Sequence, residues 1–322
     1  MTTNKIEKWI GFYTTNSFLI NKEPKIIKPS SPLSWDISRI FKLLSNAEIE
    51  YDCKFYNLRI FNGGIFALKL EEISFEKPDN DLIIRKILKG ITYLNAIQLL
   101  FESSFQKHKK LGGYFTTYEI NSQNTLKLDY EGNKLKGISG PLREEFYTNM
   151  RIENSINTNK IIFDDLNNDL ENISKDYRNV EILAEISKSL SEYKIMNFSY
   201  STLLSWIIIE KFLNILWSDL LKSKQNTAII NRTIREDLED NSDFTAYIKS
   251  NVLKLFNIYD TEIFNKINRV RKERNDIMHP KSKNNNDNNF KICQDAFDII
   301  TIFLGKNMSL DLKFDLSFGY QI

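Results

Sequence analysis

The spacing of apolar residues changes partway along this chain, and that change limits the fold more than any other feature. Up to about residue 150, apolar side chains alternate with polar ones in several short runs. Beyond about residue 160 they recur every three or four residues almost without interruption. A period of two fits a half-buried strand and a period of 3.6 an amphipathic helix. The switch therefore predicts an α+β N-terminal domain followed by an all-α bundle of helices. Residues 8–20 and 51–61 are rich in aromatic and β-branched types and read as strands. Asn62-Gly63-Gly64 separates the second run from GIFALKLEEISFE, where Phe66, Leu68 and Leu70 alternate with Ala67, Lys69 and Glu71, so a hairpin is expected there. Residues 81–108 carry helical spacing, and NSQN between GYFTTYEI and TLKLDY predicts a second hairpin. Helices are expected over 161–192, 196–223, 243–257, 260–279 and 289–305, with a short strand in SLDLKFDLSFG.

The polar stretch NSINTNK marks the expected boundary, giving domains of 1–155 and 156–322. The 322 residues suffice for two cores. The greasiest segment, Leu203 to Trp217, is broken by Glu210 and Lys211 and is too short to span a bilayer, so it reads as a buried helix. The first residues, MTTNKIEKWIGF, lack the apolar core and cleavage site of a signal peptide. Two cysteines, Cys53 and Cys293, and two histidines, His108 and His279, leave almost nothing to build a zinc site from. A reduced, cytoplasmic protein with no metal, cofactor or membrane partner is expected. Phosphate-loop, dinucleotide-binding and serine- or zinc-hydrolase signatures are absent.

The formal net charge is only +2, which excludes a bulk electrostatic grip on nucleic acid but not a local basic patch. Such a patch exists. Residues 266–283 hold Lys266, Arg269, Arg271, Lys272, Arg274, Lys281 and Lys283 against Glu273 and Asp276, leaving +5 in one stretch. Within it, Ile263, Ile267, Val270 and Ile277 share a helix face, and the missing step of that stripe is Arg274. A guanidinium on a packing stripe is costly without a partner, so either an acid or a phosphate must meet it. Asn275 and His279 stand four apart on the neighbouring flank, and Pro280 disfavours helical geometry at His279. His279 is therefore expected at the helix C-terminus, followed by the Asn-rich loop KSKNNNDNN. An imidazole there suits proton transfer, a guanidinium suits a phosphate and its developing charge, and the Asn275 amide suits orienting either.

The run RNDIMHP, late in an all-helical region, resembles the Arg-polar-x(3–5)-His signature of the HEPN superfamily, over about residues 160–305. The resemblance implies a metal-independent endoribonuclease cutting single-stranded RNA by 2′-hydroxyl transesterification, with Arg274 and His279 as the catalytic pair and Asn275 as their polar neighbour. It implies a homodimer through the C-terminal domain, with a setting in phage defence or as a toxin, controlled by an antitoxin or a phage-derived trigger. The N-terminal domain would sense or recruit. Glu210, among Tyr200, Leu203, Leu204, Ile207 and Ile208, needs a partner for its carboxylate, and an ion pair to Arg269, Arg271 or Arg274 is expected to support the site.

Plainer readings compete with each of these. Arg274 could form a structural ion pair beside a surface histidine, Glu210 could be exposed, and Arg269, Arg271, Lys272, Lys281 and Lys283 could be a solvated face rather than RNA contacts. His108 reads as structural. Trp9, Phe12, Tyr13, Phe55 and Tyr56 read as core rather than as a base-stacking surface. The rival to a nuclease is a non-catalytic HEPN-like dimerisation or RNA-binding adaptor.

Overall fold

The computed structural model describes residues 6–15, 18–20, 44, 46–71, 80–108, 117–132, 134–140, 156–240, 243–279 and 289–317. Its first half is built on a six-stranded antiparallel sheet ordered β3-β4-β5-β1-β6-β7. The strands are β1 (Ile6–Tyr13), β3 (Ile49–Asp52), β4 (Asn57–Phe61), β5 (Ile65–Lys69), β6 (Leu126–Glu131) and β7 (Lys134–Ser139). A short pair, β2 (Phe18–Ile20) with β8 (Ile156–Thr158), runs parallel beside it. The β4–β5 hairpin turns at Asn62-Gly63-Gly64, with Phe61 opposite Ile65 and both glycines at φ of 88° and 85°. Positive φ at both positions is what makes glycine the fitting residue there. The expected single strand over 51–61 is two strands, because Cys53–Tyr56 closes a turn through the Cys53 N–H to Tyr56 carbonyl bond of 3.0 Å.

Both faces of this sheet are covered. Ile10, Phe12, Phe66 and Leu68 lie on one face, where α1 (Asn80–Lys107) and α2 (Lys160–Ile173) bring Phe101, Phe105 and Phe163. Phe12 stacks on Phe66 and Phe101 on Phe163 at centroid distances of 5.1 and 5.7 Å. Trp9, Ile65, Ala67, Leu128 and Tyr130 pack on the other face. Between the first turns of α1 and the sheet lies a cleft of 410 Å³, with Ile83 and Ile87 on one wall and Lys8, Lys127 and Asp129 on the other.

The second half is helical, as its period requires: α3 (Tyr177–Lys194), α4 (Phe198–Asn226), α5 (Arg232–Asp240), α6 (Ala246–Leu255), α7 (Thr261–Met278) and α8 (Asn289–Met308). Helix α4 buries Trp206, Ile209, Phe212 and Leu213, and α8 runs beside it with Phe297, Ile300 and Phe303. Helix α7 lies antiparallel to α8, fixed by Lys266 to Asp298 at 2.7 Å and Arg269 to Asp295 at 2.8 Å. The buried Ser201 and Ser205 let α4 approach α3 closely, with Ser189 Oγ meeting the Ser205 hydroxyl at 2.7 Å, while the buried Thr202 meets Cys293 of α8 at 3.0 Å.

Several expectations need correction. The chain divides into two compact units, 1–187 with 313–315 and 188–312 with 316–322, so the division falls within α3 rather than at 155/156. The reason is that α2 buries Ile162, Phe163, Leu166 and Leu170 and packs on α1, joining the sheet's core instead of the bundle. NSINTNK is not a linker over its described residues: 156–158 form β8, and Asn159 caps α2 by accepting the Ile161 N–H at 3.2 Å. The expected first arm of the hairpin across NSQN lies partly outside the described residues, and over 117–120 it is not a strand: Thr117 gives its N–H to Glu102 of α1 at 2.7 Å and Ile120 to Asn95 at 2.9 Å. Helix 161–192 is interrupted at 174–176, where Asp176 accepts the Arg178 N–H at 3.1 Å and starts α3. Helix α5 was not anticipated. Over residues 309–317 the tail is not a strand; the Lys313 N–H donates to Ser103 Oγ instead.

No helix among the described residues is long and apolar enough to cross a membrane.

Candidate functional site

Helix α7 is started by Asp260, whose carboxylate accepts the Ile263 N–H at 2.8 Å. Its apolar stripe buries Ile263, Ile267 and Val270 and then stops. The next position of the stripe is Arg274, which is half-buried, and Ile277 beyond it is half-buried too. Thus α7 leaves the core at the residue where the stripe changes from aliphatic to guanidinium. Among the described residues no carboxylate meets Arg274; its Nη1 donates to the Oδ1 of Asn275 at 3.0 Å.

Helical geometry ends at the histidine. His279 has φ of −133° and ψ of 68°, and its N–H donates to the Asn275 carbonyl at 2.9 Å. The imidazole is exposed and has no hydrogen-bond partner among the described residues. Asn275 therefore holds both neighbours, with its side chain on the guanidinium and its backbone on the residue carrying the imidazole. The three expected residues are thus linked, Arg274 to Asn275 through side chains and Asn275 to His279 through the backbone. Pro280, Lys281, Lys283 and the Asn-rich loop up to Asn288 lie outside the described residues, and Asn289 begins α8.

The flanking cations separate into different roles. Arg269 directs both Nε and Nη2 at Asp295, a buried carboxylate on α8, so its charge is neutralised within the bundle. Lys272 is exposed and meets no acid among the described residues. Arg271 lies over the ring of Tyr247 on α6, 4.4 Å from its centroid, and its buried Nε has no hydrogen-bond partner among the described residues. Tyr247 carried no signal in the sequence, since it stands 24 residues before Arg271 in a short helix with no distinctive motif.

Two carboxylates complete the surroundings. Glu273 is half-buried, and desolvation together with the neighbouring charge of Asp276 raises its pKa above the ordinary value of 4.5. It lies close enough to the buried thiol of Cys293 to repel its ionisation, and burial itself raises that thiol. The thiol is occupied, donating to the Phe198 carbonyl at 3.1 Å. Glu210 makes no ion pair with Arg269, Arg271 or Arg274, contrary to expectation. Its charge is felt instead at Lys249 on α6, whose Nζ donates to Asn214 Oδ1 at 2.8 Å one turn further along α4. The reason is placement: Glu210 and Asn214 share the α4 face that meets α6, whereas Arg269 is drawn to α8. Burial lowers the Lys249 pKa and Glu210 partly offsets this.

Elsewhere, His108 is paired through Nε2 with Asp165 Oδ2 at 2.8 Å, as a structural histidine would be. Trp9, Phe12, Tyr13 and Tyr56 are buried in the first unit's core, which leaves Phe55 as the exposed one of that set. No group of three or more His, Cys, Asp or Glu side chains among the described residues is arranged to hold a metal ion. No protein-family model, curated protein or solved structure matches the chain, so the site's meaning rests on its own geometry and on the motif that carries it.

Proposed function

We propose that the helical half is a HEPN-like ribonuclease domain and that the protein is an endoribonuclease acting on single-stranded RNA. The observation that carries this reading is Arg274: half-buried, unmatched by any acid among the described residues, steadied by Asn275, and one turn from an exposed histidine at a helix end. A phosphate supplies the missing countercharge. The 2′-oxygen attacks the adjacent phosphorus, the bond to the 5′-oxygen breaks, and the products are a 2′,3′-cyclic phosphate and a 5′-hydroxyl. His279 moves a proton at the attacking or the leaving oxygen, and Arg274 stabilises the charge on the phosphoryl oxygens. Asn275 positions Arg274. These roles need no metal, because proton transfer and charge stabilisation both come from side chains. The protein acts as a homodimer through this domain, in phage defence or as a toxin, with the first unit receiving a phage-derived trigger or an antitoxin.

The test is cleavage of RNA in EDTA by the wild type, His279→Ala and Arg274→Ala at matched oligomeric state. Cleavage by the wild type alone, leaving cyclic-phosphate ends, supports the reading. Equal cleavage by all three removes this site from the mechanism. RNA binding with the same affinity in all three, and cleavage in none, favours the adaptor.

A further inference from the structure

We infer that Tyr247 is the platform on which a nucleobase of single-stranded RNA stacks beside the phosphate held at Arg274; the inference rests on the ribonuclease reading of that site. Tyr247 is 47% exposed, an unusual amount for a ring fixed from one side. The Arg271 guanidinium covers one face, 4.4 Å from the centroid. The phenol oxygen meets no partner among the described residues, so the ring is not held in place as a hydrogen-bonding group of the core. What remains is an aromatic plane, braced by a cation behind it and open to solvent.

Its location supplies the ligand. Arg271 lies three and four residues before Arg274 and Asn275, so the three are neighbours on one side of α7. Arg271, which backs the ring, and Arg274 are thus about 4.5 Å apart along the axis of α7, less than the reach of one nucleotide from phosphate to base. Lys272 adds an exposed charge without an acid partner among the described residues. A strand whose phosphate sits on Arg274 thus passes beside the arginine that backs the ring, where an unpaired base next to that phosphate can stack. Every base has a π-face, so the platform accepts purines and pyrimidines alike, and it excludes duplex, whose bases are already stacked. The Arg271 charge behind the ring adds attraction for the strand's phosphates without blocking the open face.

The experiment uses the full chain carrying His279→Ala, so that RNA is bound and not consumed. Binding of a fluorescein-labelled 12-nucleotide single-stranded RNA is measured by anisotropy for this protein and for added Tyr247→Leu, Tyr247→Phe and Tyr247→Trp. Leucine keeps apolar bulk but has no π-face, so the Leu variant should bind about ten-fold more weakly, with Phe and Trp within about two-fold of the parent. Thermal unfolding of each variant separates this loss from misfolding. In parallel, 5-iodouracil placed along the RNA should photo-cross-link to the peptide containing Tyr247. Unchanged binding by the Leu variant, with cross-links elsewhere, overturns the inference while leaving the nuclease reading intact. Failure of the parent to bind, together with failure of the wild type to cleave, overturns both.

Discussion

Arg274 is anchored by the residue that follows it: its Nη1 donates to Asn275 Oδ1 at 3.0 Å, and no carboxylate among the described residues competes for the guanidinium. A neutral amide orients a cation without cancelling its charge, which a carboxylate would do. Asn275→Ala should therefore reduce RNA cleavage by roughly ten-fold, through a less ordered Arg274. Asn275→Asp should reduce it further, by on the order of a hundred-fold, because an adjacent carboxylate competes with phosphate for the same guanidinium. Single-turnover cleavage rates decide the order, and an Asp variant as active as wild type would refute a charge-preserving role. His279→Ala should lose on the order of 100- to 10,000-fold, the range of a general acid or base.

Arg269 and Lys272 stand three apart on α7 yet are predicted to behave oppositely. Arg269 is bound to Asp295, whose side chain is 10% exposed, so Arg269→Ala leaves a buried carboxylate without its countercharge. That should cost about 2 kcal/mol of stability in urea denaturation, below the value for a fully buried pair because Arg269 itself is half exposed. The salt dependence of RNA binding should not change. Lys272→Ala should leave stability within about 0.5 kcal/mol and lower the slope of log K against log salt by about 0.7, one phosphate contact to a single strand. A slope lowered by Arg269→Ala and not by Lys272→Ala would show that Arg269, not Lys272, meets the phosphate.

How far the sequence could be read follows from which interactions decide each segment. The change of period announced a sheet followed by helices because burial on one face sets that period. The local geometry of the candidate site was equally legible: the phase of Arg274 against Ile263, Ile267 and Val270, and the non-helical His279 before Pro280, are local consequences of helix geometry. What failed was non-local. Residues 117–120 look like a strand, but Asn95 and Glu102 of α1 take the backbone donors a neighbouring strand would have needed. Helix α5, RTIREDLED, has too few apolar residues to show a stripe; the Arg232–Glu236 pair and Ser218 bonding Glu239 hold it. The partners of Glu210 and Arg271 depend on where α6 lies, which no spacing within α4 or α7 encodes.

Glu273 gives the site's helix a pH signature opposite to that of most carboxylates. Its folded pKa is raised by desolvation and by Asp276, so just above 4.5 the native state holds a proton that the unfolded state has released. Its contribution to stability is therefore full below the unfolded value and declines as pH rises through the folded one. Asp176 and Glu236 have pKa values lowered by Arg178 and Arg232, and they contribute in the reverse sense. The difference between wild type and Glu273→Gln isolates the first effect. The Gln variant should gain on wild type as pH rises from 4.5 toward 7, read as urea midpoints across that range. A constant difference would show that Glu273 titrates alike in both states.

Two glycines of the first unit contrast a clash with backbone inside the sheet, at Gly11, with a clash against side chains where α1 meets the sheet, at Gly90. A Cβ on Gly11 would lie 2.5 Å from the Phe66 carbonyl oxygen, a backbone atom fixed by the β1–β5 ladder in which Gly11 faces Ala67. A Cβ on Gly90 would meet Ile10 Cδ1 at 2.5 Å and Leu70 Cδ2 at 2.8 Å, both ends of rotatable side chains. Gly11→Ala can be accommodated only by pushing two strands apart, and should cost about 3 kcal/mol, the upper end for overpacking a well-filled core. Gly90→Ala removes a helix-interior glycine, worth about 1 kcal/mol in favour of the alanine, and sets this against rotamer changes of similar size. Its net effect should lie within about 1 kcal/mol of zero. Urea denaturation of the two variants gives the comparison directly. If Gly90→Ala proved the more damaging, Ile10 and Leu70 would be locked in place, and packing on α1 rather than strand spacing would limit that part of the fold.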